Sequence, residues 1–358
     1  MGREIENAEQ GVKRAWPLVI SWVGGVSALI GLFASIAGGV TWFVSHHKQA
    51  AERQARMALA QAQARQGEYQ ASVQTLADIL KSNALYRPAL DQQLNTAMLW
   101  VEDFHVATRS DQNSAELAAP ALDQILAILD SGLVRTKGSQ AADVQAHIGW
   151  AHWLNQKIAE REFSSVAEQD LRSALTADPS NVYANGMLGN WMLQNGGSLT
   201  EAVQHFNVAV STGKARPFVR ALQLGGLIGL DEKGARTELM KIANDMRKSN
   251  ETIDNHYRKS ILDTCFDPII TDHGELLECL SAVPPDEAWK TYLWLDNKPR
   301  DGQSDSLVHD FVEANLFEIT GKKQESLVKY RLLRQELNNG SGTMKNSVDA
   351  AITRLSSN

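Results

Sequence analysis

The sequence predicts an all-α chain, with one transmembrane helix followed by an α-solenoid of antiparallel helix pairs, and three observations carry that expectation. Between Ala15 and Ser45 no charged side chain occurs. Beyond Ser45, apolar residues recur at three- and four-residue spacing, with abundant Ala and Leu and few alternating β-branched runs, which is the period of helices packed on one face. Breaks then punctuate the pattern at Gly67, Asp111–Ser114, Gly138, Pro179, Gly196–Gly197, Pro217, Asp231, Pro268, Pro284–Pro285, Pro299–Gly302, Gly321 and Gly340–Gly342. They cut the chain into helices of roughly 12–22 residues joined by short turns, which implies antiparallel neighbours.

Residues 1–14 read as a short tail and residues 15–45 as the anchor. A bilayer core takes about 20 apolar residues in helical form, and Leu18 to Val44 exceeds that with room for tilt. Trp16, Trp42 and Phe43 fall near the two ends, where the headgroup layer favours amphipathic rings. Pro17 suits a first helical turn, where a missing N–H costs nothing. Ser35-Ile36-Ala37 has the form of a signal-peptide cleavage site, yet the apolar run continues to Val44, past the about 7–15 residues of a signal core. A buried core helix would show a polar stripe, and none is present.

Ser27, Gly31, Ser35 and Gly39 recur every fourth residue. Such small residues let backbones approach closely in lipid, so this face is the candidate for pairing with another span or with a second copy of the chain. The amino side offers Arg3, Lys13, Arg14 and the terminal amine, against Lys48, Arg53 and Arg56 on the far side, close to a tie, with Lys13 and Arg14 abutting the span. The short amino tail is read as cytoplasmic and the helical part as extracytoplasmic, which is periplasmic in a double-membraned bacterium.

The remainder divides into 46–138, 139–215, 216–300 and 301–358. With 35 Lys and Arg against 42 Asp and Glu, for a net charge of −7, the totals supply no basic face for nucleic acid. Within 139–215, Asn181 to Thr212 carries Leu188-Gly189, Gly196 at a turn, then Ala202, Phe206 and Ala209, with Pro179 closing the unit before it. That preceding unit supplies Ile148-Gly149-Trp150, Ala167, Leu171 and Ala174. Leu59-Ala60, Gly67, Tyr69, Ser72 and Leu76 repeat the pattern in 46–138. Ala314, Phe317, Gly321, Ser326 and Tyr330 repeat it in 301–358.

This series resembles the tetratricopeptide repeat, a helix pair of about 34 residues. The resemblance implies an α-solenoid whose groove docks other proteins or protein segments. Leu85–His105 and Ala115–Val134 read as a further pair without the signature, 216–300 as divergent pairs, and Thr343–Leu355 as a terminal cap. First helices in that family line the groove, so Trp150, Trp153, Tyr183, Asn190 and Gln194 are the candidate partner-groove residues.

No catalytic, cofactor or metal site is expected. Gly225-Gly226-Leu227-Ile228-Gly229 lies inside a helical pattern rather than after a strand, so it reads as close helix packing instead of a phosphate loop. Cys265, Asp267, His273, Glu275 and Cys279 lack the paired spacing of a zinc site. His147 and His152 miss the spacing of a helical metal pair. Cys265 and Cys279, the only cysteines, read as buried apolar thiols, a bridge between them being the alternative. The functional expectation is a non-catalytic, membrane-anchored docking scaffold. Its rivals are a structural homo-oligomer and an enzyme of unrecognised site.

Overall fold

A computed structural model describes residues 47–107, 113–158, 165–232, 234–266, 273–296, 303–337 and 342–357. The described residues are helical throughout, with no strand among them. The helices are α1 (residues 47–65), α2 (Tyr69–Ser82), α3 (Arg87–Ala107), α4 (Asn113–Leu133), α5 (Gly138–Ile158), α6 (Val166–Ala177), α7 (Val182–Gln194) and α8 (Leu199–Ser211). They continue as α9 (Arg216–Leu227), α10 (Ala235–Lys248), α11 (Asn255–Phe266), α12 (His273–Ser281), α13 (Pro285–Leu295), α14 (Gln303–Ile319), α15 (Lys323–Glu336) and α16 (Gly342–Ser356). The expected anchor, with Ser27, Gly31, Ser35 and Gly39, lies outside the described residues. Among those described, no helix is long and apolar enough to cross a membrane.

The chain divides into two compact units between Leu99 and Trp100, inside α3. In the first, Ala60 of α1 packs with Leu76 and Ile79 of α2 and with Ala89 of α3. In the second, α5, α7 and α9 form a row of neighbouring helices, with α6 packed on α5 and α7 and α8 packed on α7 and α9. From α10 onward the row passes to α10, α12 and α14, and α15 joins α14 to α16.

Four pairs, α1/α2, α5/α6, α7/α8 and α14/α15, repeat one set of contacts. Where the helices cross, the residues are small. Ser72 Oγ donates to Ala60 O and Ser326 Oγ to Ala314 O, each at 2.8 Å and twelve residues apart. At the same crossing in the other pairs, a Cβ on Gly149 or Gly189 would stand 3.1 Å from the carbonyl oxygen of Ala167 or Ala202. One turn on, the second helix buries Leu76, Leu171, Phe206 or Tyr330, and after it Ile79, Ala174, Ala209 or Leu333.

The residue just before that large side chain bridges back to the first helix. The bridges are Thr75 to Gln63 at 2.9 Å, Asp170 to Gln145 at 2.7 Å, His205 to Asn185 at 2.8 Å and Lys329 to Asp310 at 3.4 Å. In α5/α6, α7/α8 and α14/α15 the first-helix partner lies four residues before the crossing residue, whereas in α1/α2 Gln63 lies three after Ala60.

The turns repeat too. Gly196 and Gly321 take φ of +73° and +76°, a left-handed conformation open to glycine without steric penalty. The next N–H then reaches back to the carbonyl of Met192 or Phe317, at 2.7 and 2.9 Å, the six-to-one bond that closes a helix end. Gly67 closes α1 in the same way, with Glu68 N–H donating to Gln63 O at 2.9 Å. Asn181 and Ser198 cap the starts of α7 and α8 by accepting from Ala184 N–H and Glu201 N–H, at 2.9 and 3.4 Å.

Two corrections belong here. Cys265 of α11 and Cys279 of α12 are buried, as expected of apolar fillers, but they form a disulfide instead of remaining thiols. The α11–α12 hairpin brings their Cα atoms to 5.7 Å, inside the range a bridge requires. A helix end at Lys248 has neither Gly nor Pro to mark it. Asn250 supplies the left-handed residue at φ +53°, and Glu251 N–H closes on Met246 O at 2.8 Å.

Candidate functional site

The row α5, α7, α9 positions a polar and aromatic face of the second unit. Helix α7 is buried along nearly its whole length, from Val182 to Leu193, with Tyr183 half-buried and Gln194 exposed. Tyr183 at its amino end packs on the His147 ring of α5 at 4.4 Å between centroids and on Phe218 of α9 at 6.3 Å. His147 is fully buried, with Nδ1 at 2.6 Å from Asp143 O and Nε2 at 3.0 Å from the Glu102 carboxylate. Burial, and then the Glu102 and Asp143 carboxylates, push the Tyr183 phenol well above its ordinary pKa of 10. The phenol is therefore un-ionised at any physiological pH.

Asp143 is the hub of this face. Its Oδ1 accepts from Asn181 Nδ2 at 2.7 Å and its Oδ2 from Lys214 Nζ at 2.6 Å. The same ammonium lies 4.8 Å from the Tyr183 ring centroid, within reach of the cation–π attraction. Lys214 sits on the α8–α9 loop between Gly213 and Ala215, which both take left-handed backbone, at φ +74° and +48°.

Further along α9, an open, mostly apolar cavity of about 650 Å³ lies between this helix and the start of α11. Pro217, Ala221 and Leu224 form one wall, and Met246, Ile253 and Tyr257 form the other. Arg220 borders it, buried and fixed by Glu251 at 3.1 Å and by Gln223 at 2.8 Å. Arg216 also donates to Glu251, at 2.9 Å, so one carboxylate at the Asn250 turn holds α9 through two guanidinium groups.

The candidate groove residues separate into three kinds. Trp150 and Trp153 are buried, and so is Asn190, whose Nδ2 donates to Leu222 O of α9 at 2.7 Å. These three serve helix packing, not the surface. Gln194 is exposed and donates to Gly225 O at 3.3 Å, while accepting from Lys157 at 3.3 Å. Tyr183 alone joins the polar face, in company with Asp143, His147, Asn181, Lys214 and Phe218, which sequence reading did not single out for it. Of the Gly225–Gly229 cluster, Gly226 is closely packed, a Cβ there standing 2.9 Å from Leu193 Cδ1, whereas Gly229 lies beyond the end of α9 at φ +84° with nothing within 4 Å of its Cβ.

A second polar cluster occurs on α14, where His309, Asp310 and Glu313 bring ligand atoms within 4.8 Å of one another. Lys329 Nζ lies 2.6 Å from Glu313 and 3.4 Å from Asp310, so an ammonium already pairs with both carboxylates. In the cluster around the cysteines, the sulfurs bond to each other, Glu275 pairs with Arg236 at 2.9 Å, and Asp267 lies outside the described residues. No known protein family matches the chain, and no curated protein is similar to it.

Proposed function

We propose that the chain is a non-catalytic docking scaffold, a tetratricopeptide-like α-solenoid held at a membrane by the span at residues 15–45. Its groove would take a segment of another protein. The observation that carries this reading is the first-helix row α5, α7, α9, which leads into an open apolar cavity of about 650 Å³ with fixed polar groups at its border. A mostly apolar recess with few polar groups is the usual form of a recognition site. The repeated crossing contacts of the four pairs support the family reading.

The extracytoplasmic reading draws support from the buried Cys265–Cys279 bridge, since such bonds persist in oxidising compartments. Tethering would confine the groove to one surface and raise its effective concentration for membrane-bound partners.

A photo-crosslinking residue at Pro217, which lines the cavity and is exposed, tests the docking reading in intact cells expressing the full chain. The expected result is an adduct with a second protein that disappears when Ala221→Trp fills the recess while circular dichroism stays unchanged. An adduct indifferent to Ala221→Trp, or none, overturns the reading. An adduct with a second copy alone favours the homo-oligomer. Protease protection on spheroplasts tests the side of the membrane.

A further inference from the structure

The contact between Lys214 and Asp143 has the composition of a receptor for ammonium groups, already filled from within the chain. One carboxylate oxygen of Asp143 takes the ammonium at 2.6 Å, and the other is fixed by Asn181 at 2.7 Å. An aromatic face, Tyr183, lies on the ammonium at 4.8 Å, backed by His147 and Phe218. Carboxylate plus aromatic face is the combination that recognises organic cations. The two sides of the contact differ in rigidity. Asp143, Asn181 and Tyr183 sit at the ordered ends of α5 and α7, and their side chains are buried or half-buried.

Lys214 instead comes from a loop, its side chain half-exposed. Its downstream neighbour Ala215 takes a left-handed φ of +48°, a conformation that a residue with a Cβ seldom adopts. Its carbonyl accepts the Val219 N–H at 3.0 Å, so Ala215 opens α9 while Lys214 stands just before it.

We infer that Asp143, Asn181 and Tyr183 form a seat for the lysine side chain of a bound protein segment, and that Lys214 is its resident stand-in, displaced when the segment docks. The chain's net charge of −7 complements a basic partner and speeds its approach. This inference rests on the docking reading for the identity of its occupant, but the seat itself can be tested with a small amine.

The probe is lysine blocked at both backbone ends, with blocked norleucine as the uncharged control, titrated calorimetrically into the full chain in detergent. Lys214→Met keeps the apolar stem and vacates the seat, and Lys214→Ala is the second variant should methionine fold back over Tyr183. Either vacated variant should bind blocked lysine at least about tenfold more tightly than the wild type does, and more tightly than blocked norleucine. Adding Asp143→Asn should erase the gain.

Equal binding by wild type and both variants, equal binding of the two probes, or a gain that survives Asp143→Asn overturns the seat. Because none of these arms uses a partner, a vacated seat that gains nothing beside an intact Pro217 adduct condemns the seat alone. A working seat with no adduct condemns the docking reading alone.

Discussion

Between α5 and α9 the helices are drawn together by small residues: Gly149 faces Asp170 and Leu171, Gly189 faces Ala202 and Phe206, and Gly226 faces Leu193. Between α10 and α13 cross-links take over that task. The Cys265–Cys279 bridge ties α11 to α12, Arg236 pairs with Glu275 at 2.9 Å, and Glu278 accepts Gly234 N–H at 2.8 Å. Arg247 reaches Glu287 and Arg258 reaches the Leu295 carbonyl at 3.1 Å. Close approach of two backbones dictates residue size at each crossing, so the pattern stays legible from residue to residue. A bond or an ion pair fixes only its own two ends, and the surrounding apolar positions are free to vary.

The largest expected separation between the regions comes from Phe206→Ala, which empties a buried site in α8. It should cost about 4 kcal/mol in urea denaturation. Next, the double variant Cys265→Ala/Cys279→Ala should lose about 3 kcal/mol, the value of opening a loop of this size, and become insensitive to reductant. A smaller loss than that of Gly149→Ala would remove the contrast between the two regions. Gly149→Ala should itself cost about 2 kcal/mol by overpacking, because the new Cβ meets Asp170 Cβ at 2.9 Å and Ala167 O at 3.1 Å. Gly342→Ala, whose Cβ meets nothing within 4 Å, is the neutral control.

The smallest effects separate by pH. Burial holds His205 below its ordinary pKa of 6.5, so the unfolded chain binds that proton more readily. Stability present at pH 7 is then lost as pH falls through 6.5 towards the folded-state value, and His205→Gln should flatten this part of the melting profile. Glu287 behaves differently. The Lys290 hydrogen bond, and then Arg247, hold its carboxyl below the ordinary 4.5. Its contribution is present above 4.5 and is lost as pH falls through the lower folded-state value, a step that Glu287→Gln should remove. Coincident steps in the two variants would merge the regions that the pH profile is expected to resolve.

These differences also explain what the sequence could and could not disclose. Turn glycines, the small residues at the crossings and the large residues after them announce themselves by type and spacing, so α7/α8 was readable in detail. Asn190 misled because it is buried and its acceptor is the backbone carbonyl of Leu222, which carries no sequence signal. Trp150 and Trp153 shared a helix with the polar face but turned inward, as large aromatics usually do. Asn250 ended α10 without the glycine that marks other ends. The Asp143 face was invisible because its members come from separate helices and a loop, with Lys214 seventy-one residues from Asp143.

Helix α7 has almost no outward side, being flanked by α5, α6, α8 and α9. An element so enclosed cannot swing without opening its neighbours. Any breathing of this region must therefore be carried by the helices around it, and the amides of Ala184 to Leu193 should be among the last to trade their hydrogens with water.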